Sequence, residues 1–296
     1  MPLCQNGPCS SLIVPVSPRE DLNEEADLEP FGRYAPKLPS ASGIGRVYIW
    51  EGGGLFIGRG SGATDVHSHH AIQVSVGSDP GIPLRFRTTE EWVEYPGVII
   101  ATRQAHAFAT DLATVAHIFV EPVTREGRAL EEQQFGEAAP DPAIVPLPRS
   151  TIPGAISHLF DTWEETRDAD RVVGAAQALI GELAGGTQPR RPLDERLLRA
   201  IAFLRQNLHR PVSLTEAAAA AYLSPSRFRH LFVEETGMTL RPYILWLRFM
   251  RAWEAVSAGD SLTAAAHHAG FADSSHLTRT SRRMFGMAPT ALHYRE

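Results

Sequence analysis

The sequence predicts an α+β protein: a small N-terminal β-barrel followed by an all-α region holding two helix-turn-helix units. Three observations predict it. Short β-rich runs crowd residues 45–121, helical periodicity takes over from residue 152, and one helical hairpin pattern occurs twice in the last third.

Residues 1–40 are rich in Pro, Ser and acidic side chains and are expected to form a mostly disordered tail, with one short apolar piece at Leu12-Ile13-Val14. Cys4 and Cys9 both fall in this tail and read as incidental thiols. The N-terminus lacks a basic stretch leading into an apolar core, and no apolar run approaches ~18 residues. No secretory signal and no membrane partner are therefore expected, and the chain reads as cytoplasmic.

Residues 41–125 carry the predicted β-domain. RVYIWEG, GLFIGRG, HHAIQVSVG, LRFRTTEEWVEY, GVIIATRQ and TVAHIFVEP are β-branched and aromatic runs parted by Gly, Pro and Asp, as in a small barrel or sandwich. Residues 126–188 change to helical spacing. Ile156, Leu159, Phe160 and Trp163 share one stripe, and Val172, Ala176, Leu179 and Leu183 share another. Each stripe suits either a dimer face or packing against the barrel. GGTQPRRP, residues 185–192, is a linker by composition.

Residues 189–296 differ in charge from everything before them. They hold 15 Arg, no Lys and 9 acidic residues, net +6; the preceding part holds 13 basic and 25 acidic residues, net −12. That asymmetry points to a nucleic-acid partner for the basic part. Within it, PVSLTEAAAAAYLSPSRFRHLFVEETGMTL is echoed by GDSLTAAAHHAGFADSSHLTRTSRRMFGMAP. Each copy opens an alanine-rich helix at Ser-Leu-Thr, turns, and ends a second helix at Gly237-Met238 or Gly286-Met287. Two short helices with Ala where they cross describe a helix-turn-helix.

The second helix of each unit reads as a recognition helix. The first presents Ser226, Arg227, Arg229 and His230, with Phe228, Leu231 and Phe232 inward. The other presents Ser274, Ser275, His276 and Arg279, with Leu277 and Met284 inward and Asp273 or Ser274 as cap. Short hydroxyl side chains reach base edges, and arginines reach guanine or phosphate. A helix over 242–258 would be ~25 Å long at ~1.5 Å per residue. A DNA turn is ~34 Å, so this rod suits two recognition helices in successive major grooves.

These residues resemble the AraC/XylS family of bacterial transcription regulators over roughly 193–293. The first unit matches at Leu214, Ala218, Ser224, Phe228, Phe232 and Gly237, and the spacer at Tyr243, Arg248 and Ala252. The second matches at Leu262, Ala266, Gly270-Phe271, Ser275, Arg279, Gly286 and Pro289. The resemblance implies double-stranded promoter DNA and RNA polymerase as partners, and a homodimer reading two half-sites. Leu277 and Ser281 stand where the family usually has Phe, and Ser281 is expected to loosen the second unit.

The β-rich part resembles the cupin sensor domain that many family members carry. TDVHSHHAIQV is similar to the first cupin motif, with His67 and His69 on one strand face and His70 on the other. Gln73 stands where metal cupins usually have Glu. YPGVIIATRQAH is similar to the second motif and ends in His106. Two readings of the site stay open, beside a third in which the histidines have no role. His67, His69, Gln73 and His106 line a pocket for a small-molecule effector, with Trp50, Trp92, Phe56, Phe86 and Phe108 as apolar lining. Alternatively, the three imidazoles and the amide oxygen hold a divalent metal, with His117 as a further ligand or a buried polar residue.

A regulator with no catalytic residues and no required cofactor is the expectation. The runner-up is a cupin metalloenzyme of dioxygenase or isomerase type with an appended DNA-binding domain. An alkyl-transfer repair protein sharing the DNA-binding unit is set aside, because it needs a reactive Cys in an ordered site.

Overall fold

In the computed structural model the described residues are 33–34, 39–136, 143–148, 150–166, 168–186, 189 and 192–294. The β-branched runs form β1 (Arg33–Tyr34), β2 (Ser42–Trp50), β3 (Gly53–Ala63), β4 (Ile72–Gly77), β5 (Leu84–Arg87), β6 (Trp92–Tyr95), β7 (Gly97–Ile100) and β8 (Ala107–Val120). LRFRTTEEWVEY is therefore two antiparallel strands, with Arg85 opposite Glu94. Most of the predicted tail, with Cys4 and Cys9, lies outside the described residues, but Arg33 and Tyr34 pair with Val93 and Trp92.

The long strand β8 organises the sheet. It pairs with β5 at its start, with β3 along most of its length, and with β4 through Val115–Val120. The β3–β8 register slips between Arg59 and Ser61, and Leu112 takes a left-handed φ of 59°. Such a bulge adds local twist, which lets one strand serve neighbours that diverge.

Helices α1 (Arg125–Gln134), α2 (Pro153–Glu165) and α3 (Ala169–Leu183) follow, with β9 (Ile144–Pro146) added beside β7. Ile156, Leu159, Phe160, Val172, Leu179 and Leu183 are all buried in one cluster with Leu55, Val74 and Ile118 of the sheet. The two apolar stripes thus pack back on the β-domain. They are not an open dimer face, and the homodimer expectation loses the surface from which it was drawn.

The remaining helices are α4 (Glu195–Gln206), α5 (Leu214–Ala220), α6 (Pro225–Thr236), α7 (Leu240–Ser257), α8 (Leu262–His268) and α9 (Ser274–Phe285). Their ends follow from local chemistry. Ser213 and Glu216 form a capping box before α5, and Ser224, Ser261 and Asp273 each accept a backbone N–H at the next helix starts. Gly237 and Gly286 end α6 and α9 at φ 66° and 67°. No helix among the described residues is long and apolar enough to cross a membrane.

After α9 the chain does what its helical pattern does not foretell. Leu292–Tyr294 form β10, a strand parallel to β2 with Leu292 opposite Gly43 and Tyr294 opposite Gly45. One apolar cluster runs from the sheet's inner face, through Phe86, Phe108 and Phe119, into Phe228, Tyr243 and Trp246 of the helices. Polar ties cross the same boundary. Arg205 Nη2 meets Glu121 Oε2 at 2.8 Å, Arg103 donates to the Gly237 carbonyl at 2.7 Å, and Arg128 pairs with Glu235. The linker composition of 185–192 suggests two independent units; the shared core and these ties join them instead.

Candidate functional site

His67, His69 and His106 come together at the open end of the sheet. His67 and His106 exchange backbone hydrogen bonds of 2.9 Å, so the loop before β4 is held against the start of β8. The ring centroids lie 4.4 Å apart for His67 and His106, and 5.3 Å for His69 and His106. His67 and His69 share a facing as predicted, although both precede β4. His70 faces away from them and packs its ring edge on Tyr243, centroids 5.3 Å apart.

Each of the three clustered rings is oriented by a backbone carbonyl. Nδ1 of His67, His69 and His106 donates to Asp65, Ala71 and Gln104 respectively, all at 2.9 Å. Burial holds every ring neutral. It lowers His67 to about 3, helped by neighbouring His69, and lowers His69 and His106 below the usual imidazole range. Neutral rings that donate through Nδ1 keep a lone pair on Nε2.

Ring nitrogens of all three histidines lie within 4.8 Å of one another, and the lone pairs of His69 and His106 converge on Gln73. Its Oε1 lies 2.8 Å from His69 Nε2 and 3.2 Å from His106 Nε2, while its Nε2 donates to Ser75 Oγ at 2.8 Å. Ser75 Oγ also meets His117 Nδ1 at 2.8 Å. Two acceptor nitrogens facing an acceptor oxygen repel unless something positive sits among them. Two arrangements relieve this. A divalent cation can take the three Nε2 lone pairs and Oε1, which fits the N and O donor set. Alternatively, the amide turns over, gives its NH2 to both rings and accepts from Ser75.

Beside the cluster is a cavity of about 80 Å³, lined by His67, Gln73 and His117 and by Phe56, Phe108 and Phe119. The far wall belongs to the helices: Phe249, Trp253, Leu277, Ser281 and Phe285. Ser281, where looser packing is expected, lines this cavity. Its hydroxyl donates to the Met287 carbonyl at 2.7 Å, and its small side chain leaves room that a Phe would fill. Trp50 and Trp92 are placed elsewhere. Trp50 packs toward the α2–α3 cluster, and Trp92 sits under Arg87 beside Ala107 and Ala109. Strand alternation names two faces, and pairing put these rings on the side away from the cavity.

The two recognition helices have the predicted facing. On α6, Ser226, Arg227, Arg229 and His230 are exposed while Phe228 and Phe232 are buried; Leu231 is half-buried. On α9, Ser275 and Arg279 are exposed, Ser274 and His276 are partly so, and Leu277 and Met284 are buried. Asp273 is the cap, accepting the His276 N–H at 2.7 Å.

Residues 217–295 match a family model described as a helix-turn-helix domain. The C-terminal region thus carries a helix-turn-helix domain and is similar to the matching part of transcriptional regulators. It is 38% identical over 86 residues to the regulatory protein ada of Salmonella typhimurium, covering 29% of this chain and 24% of that protein. It is 34% identical over 97 residues to the HTH-type transcriptional activator RhaS of Escherichia fergusonii, covering 32% of this chain and 35% of that protein. The matches thus span about a third or less of these relatives' length. A structure of ToxT from Vibrio cholerae aligns over 84% of this chain and 97% of its own, with a TM-score of 0.50 at 11% identity, a likeness of fold. The helix-turn-helix domain supplies one wall of the cavity, through α7 and α9. Sequence reasoning missed those residues because each also fits the interior of a helical unit.

Proposed function

We propose that the protein regulates transcription by binding promoter DNA through its AraC-type domain, under control of a small, mostly apolar effector in the shared cavity. The observation that carries this reading is the composition of the cavity wall: an occupant would touch β3 and β8 on one side and α7 and α9 on the other. A ligand shifts an equilibrium only through differential contacts with its states, and a jointly built wall supplies them. The partners on this reading are promoter DNA, the effector and RNA polymerase, and the role is regulatory, not enzymatic.

Ser281→Phe tests it. The added ring should fill the cavity at the cost of one hydrogen bond. Extracts of the wild-type protein analysed by mass spectrometry should contain a co-purifying small molecule that is absent from the variant, and a promoter reporter should lose its response. A variant that still responds normally would place the effector elsewhere.

Ser226, Arg227, Arg229 and His230, with Ser274, Ser275, His276 and Arg279, form the DNA-facing surface in this proposal. Arg229→Ala and Arg279→Ala should each weaken binding to a selected operator by ~1–3 kcal/mol if they read bases. A uniform loss across sequences with a flatter salt dependence would assign phosphate contacts instead. Unchanged affinity in both variants would sink the assignment.

The converging lone pairs favour a second reading of the sensor, in which His67, His69, His106 and Gln73 hold a divalent cation. The cation would supply a Lewis-acid contact for an effector oxygen. Elemental analysis of the purified protein decides: stoichiometric metal that is lost in His106→Ala supports it, and metal-free protein excludes it.

A further inference from the structure

A second cleft, of about 740 Å³, opens outside the sheet and between the two helix-turn-helix units. It shares no lining residue with the cavity described above. We propose that this cleft binds a small molecule carrying a phosphate or carboxylate on an apolar body.

Charge is the first argument. Arg103 comes from the β-domain, Arg241 and Arg248 from α7, and Arg283 from α9; His276 joins them, and no Asp or Glu is among the lining residues. Arg248 is held in place by donating to the Leu208 and Arg210 carbonyls at 3.0 and 2.8 Å, and Arg103 by its bond to Gly237. Arg241 and Arg283 are exposed. Four guanidinium groups around one concave surface repel each other and concentrate anions.

The second argument is independent of charge. His70 lines the cleft, is 2% exposed, and has no hydrogen-bond partner for either ring nitrogen among the described residues. A buried imidazole N–H left unpaired is costly, and a ligand oxygen accepting from it removes that cost. Phosphates of a DNA duplex lie on a broad convex surface and cannot reach a ring this deeply enclosed, whereas a small oxyanion can. The third argument is the wall itself. Val212, Met238, Leu245, Trp246 and Met284 supply apolar surface for the rest of the molecule, the usual balance in a ligand pocket.

An occupant would touch the β-domain through His70 and Arg103, the junction of α6 and α7 through Arg241, and α9 through Arg283. It would thereby fix α9 relative to the start of α7 and to the β-domain, whose His69 also lines the cleft.

Phenyl phosphate is a suitable probe, with phenol as the uncharged control and inorganic phosphate as the control for charge alone. Tryptophan fluorescence of the full-length protein should change saturably with phenyl phosphate and not with phenol, and the melting temperature should rise. Arg241→Ala and Arg283→Ala, both at exposed positions, should leave unliganded melting unchanged and weaken the probe by about tenfold each, as for a lost charge-assisted hydrogen bond. His70→Phe should weaken it comparably while keeping the ring packing. No saturable response in the wild type, or undiminished affinity in the Arg241→Ala/Arg283→Ala double variant, overturns the proposal. So does a double variant that binds DNA with a flatter salt dependence when the wild type ignores phenyl phosphate, because the arginines would then be duplex-phosphate contacts. A Ser281→Phe protein should still bind the probe, which keeps this result separable from the sheet cavity.

Discussion

Lowering the pH from 7.5 to 5.5 is expected to cost the protein a substantial part of its folding stability. Four buried histidines and the half-buried His117 are held neutral: His67, His70 and His117 are each lowered to about 3, and His69 and His106 are lowered as well. Burial is the first cause in every case; neighbouring positive or titrating groups add to it at His67, His70, His106 and His117, while hydrogen bonds to Gln73 and Ala71 oppose it at His69. The sign follows from the unfolded chain, whose histidines take up protons near pH 6.5. The folded rings do not follow until far lower pH, so the unfolded state binds more protons throughout the interval. Stability is therefore full above about pH 6.5 and is lost as the pH falls toward about 3. Each of the three rings lowered to about 3 contributes about 1 kcal/mol per pH unit below 6.5, so these three together remove about 3–4 kcal/mol by pH 5.5, and His69 and His106 act in the same direction. That is a sizeable fraction of the stability of an ordinary domain, ~5–15 kcal/mol. Urea melts followed by tryptophan fluorescence at pH 7.5, 6.5 and 5.5 should show the midpoint collapsing over the last unit. A midpoint that stays level would mean the rings are reached by solvent protons in the folded state. His117→Gln, which keeps a hydrogen-bonding group opposite Ser75, should flatten the dependence.

The same residues show what the sequence makes legible. Period-two spacing and motif likeness put His67, His69 and His106 together, and the structure brings their rings within contact. Helical spacing and the internal echo assigned the buried Phe228 and Phe232 and the exposed Arg229 and Arg279 correctly. These are properties of single elements, in which one side chain's facing fixes that of its neighbours. What the sequence hides is which element meets which. Phe285 and Trp253 look like interior residues of a helical unit, yet they also close the sheet cavity. Leu292–Tyr294 is too short to announce a strand, and its parallel partner lies about 250 residues earlier. Trp50 and Trp92 sit on strands as expected, but the pairing of those strands, not their composition, turned both rings away from the site. The apolar stripes of α2 and α3 fit a dimer and an intramolecular core equally well, and the sheet had an uncovered face to offer.

Replacing Glu121 by Ala is expected to destabilise the joint between sheet and helices by ~3–5 kcal/mol, the usual cost of stripping one partner from a buried pair. Glu121 follows β8, is 5% exposed, and accepts from Arg205 of α4 at 2.8 Å and from the Tyr243 hydroxyl of α7 at 3.3 Å. Burial pushes its carboxyl upward, and the Arg205 charge opposes that push. Removing the carboxylate leaves the Tyr243 hydroxyl, itself buried, without its acceptor. The acidic partner left to Arg205 among the described residues is Glu51, which is 87% exposed and so screened by water. Glu121→Gln keeps an acceptor oxygen and should cost less, because it loses the charge but not the hydrogen-bond geometry. The pair joins elements more than 80 residues apart, so its loss should also change how the protein unfolds. Urea denaturation of the wild type should be a single transition, since one apolar cluster spans both parts. In Glu121→Ala the helical part should melt first and the β-domain later, giving two transitions read by tryptophan fluorescence and far-ultraviolet circular dichroism. A double-mutant cycle with Arg205→Met isolates the pair: the double variant should recover much of the loss, since neither charge is then left buried alone. Strict additivity of the two substitutions, or a cost below ~1 kcal/mol for Glu121→Ala, would show that the apolar interface alone holds the DNA-binding helices on the sheet.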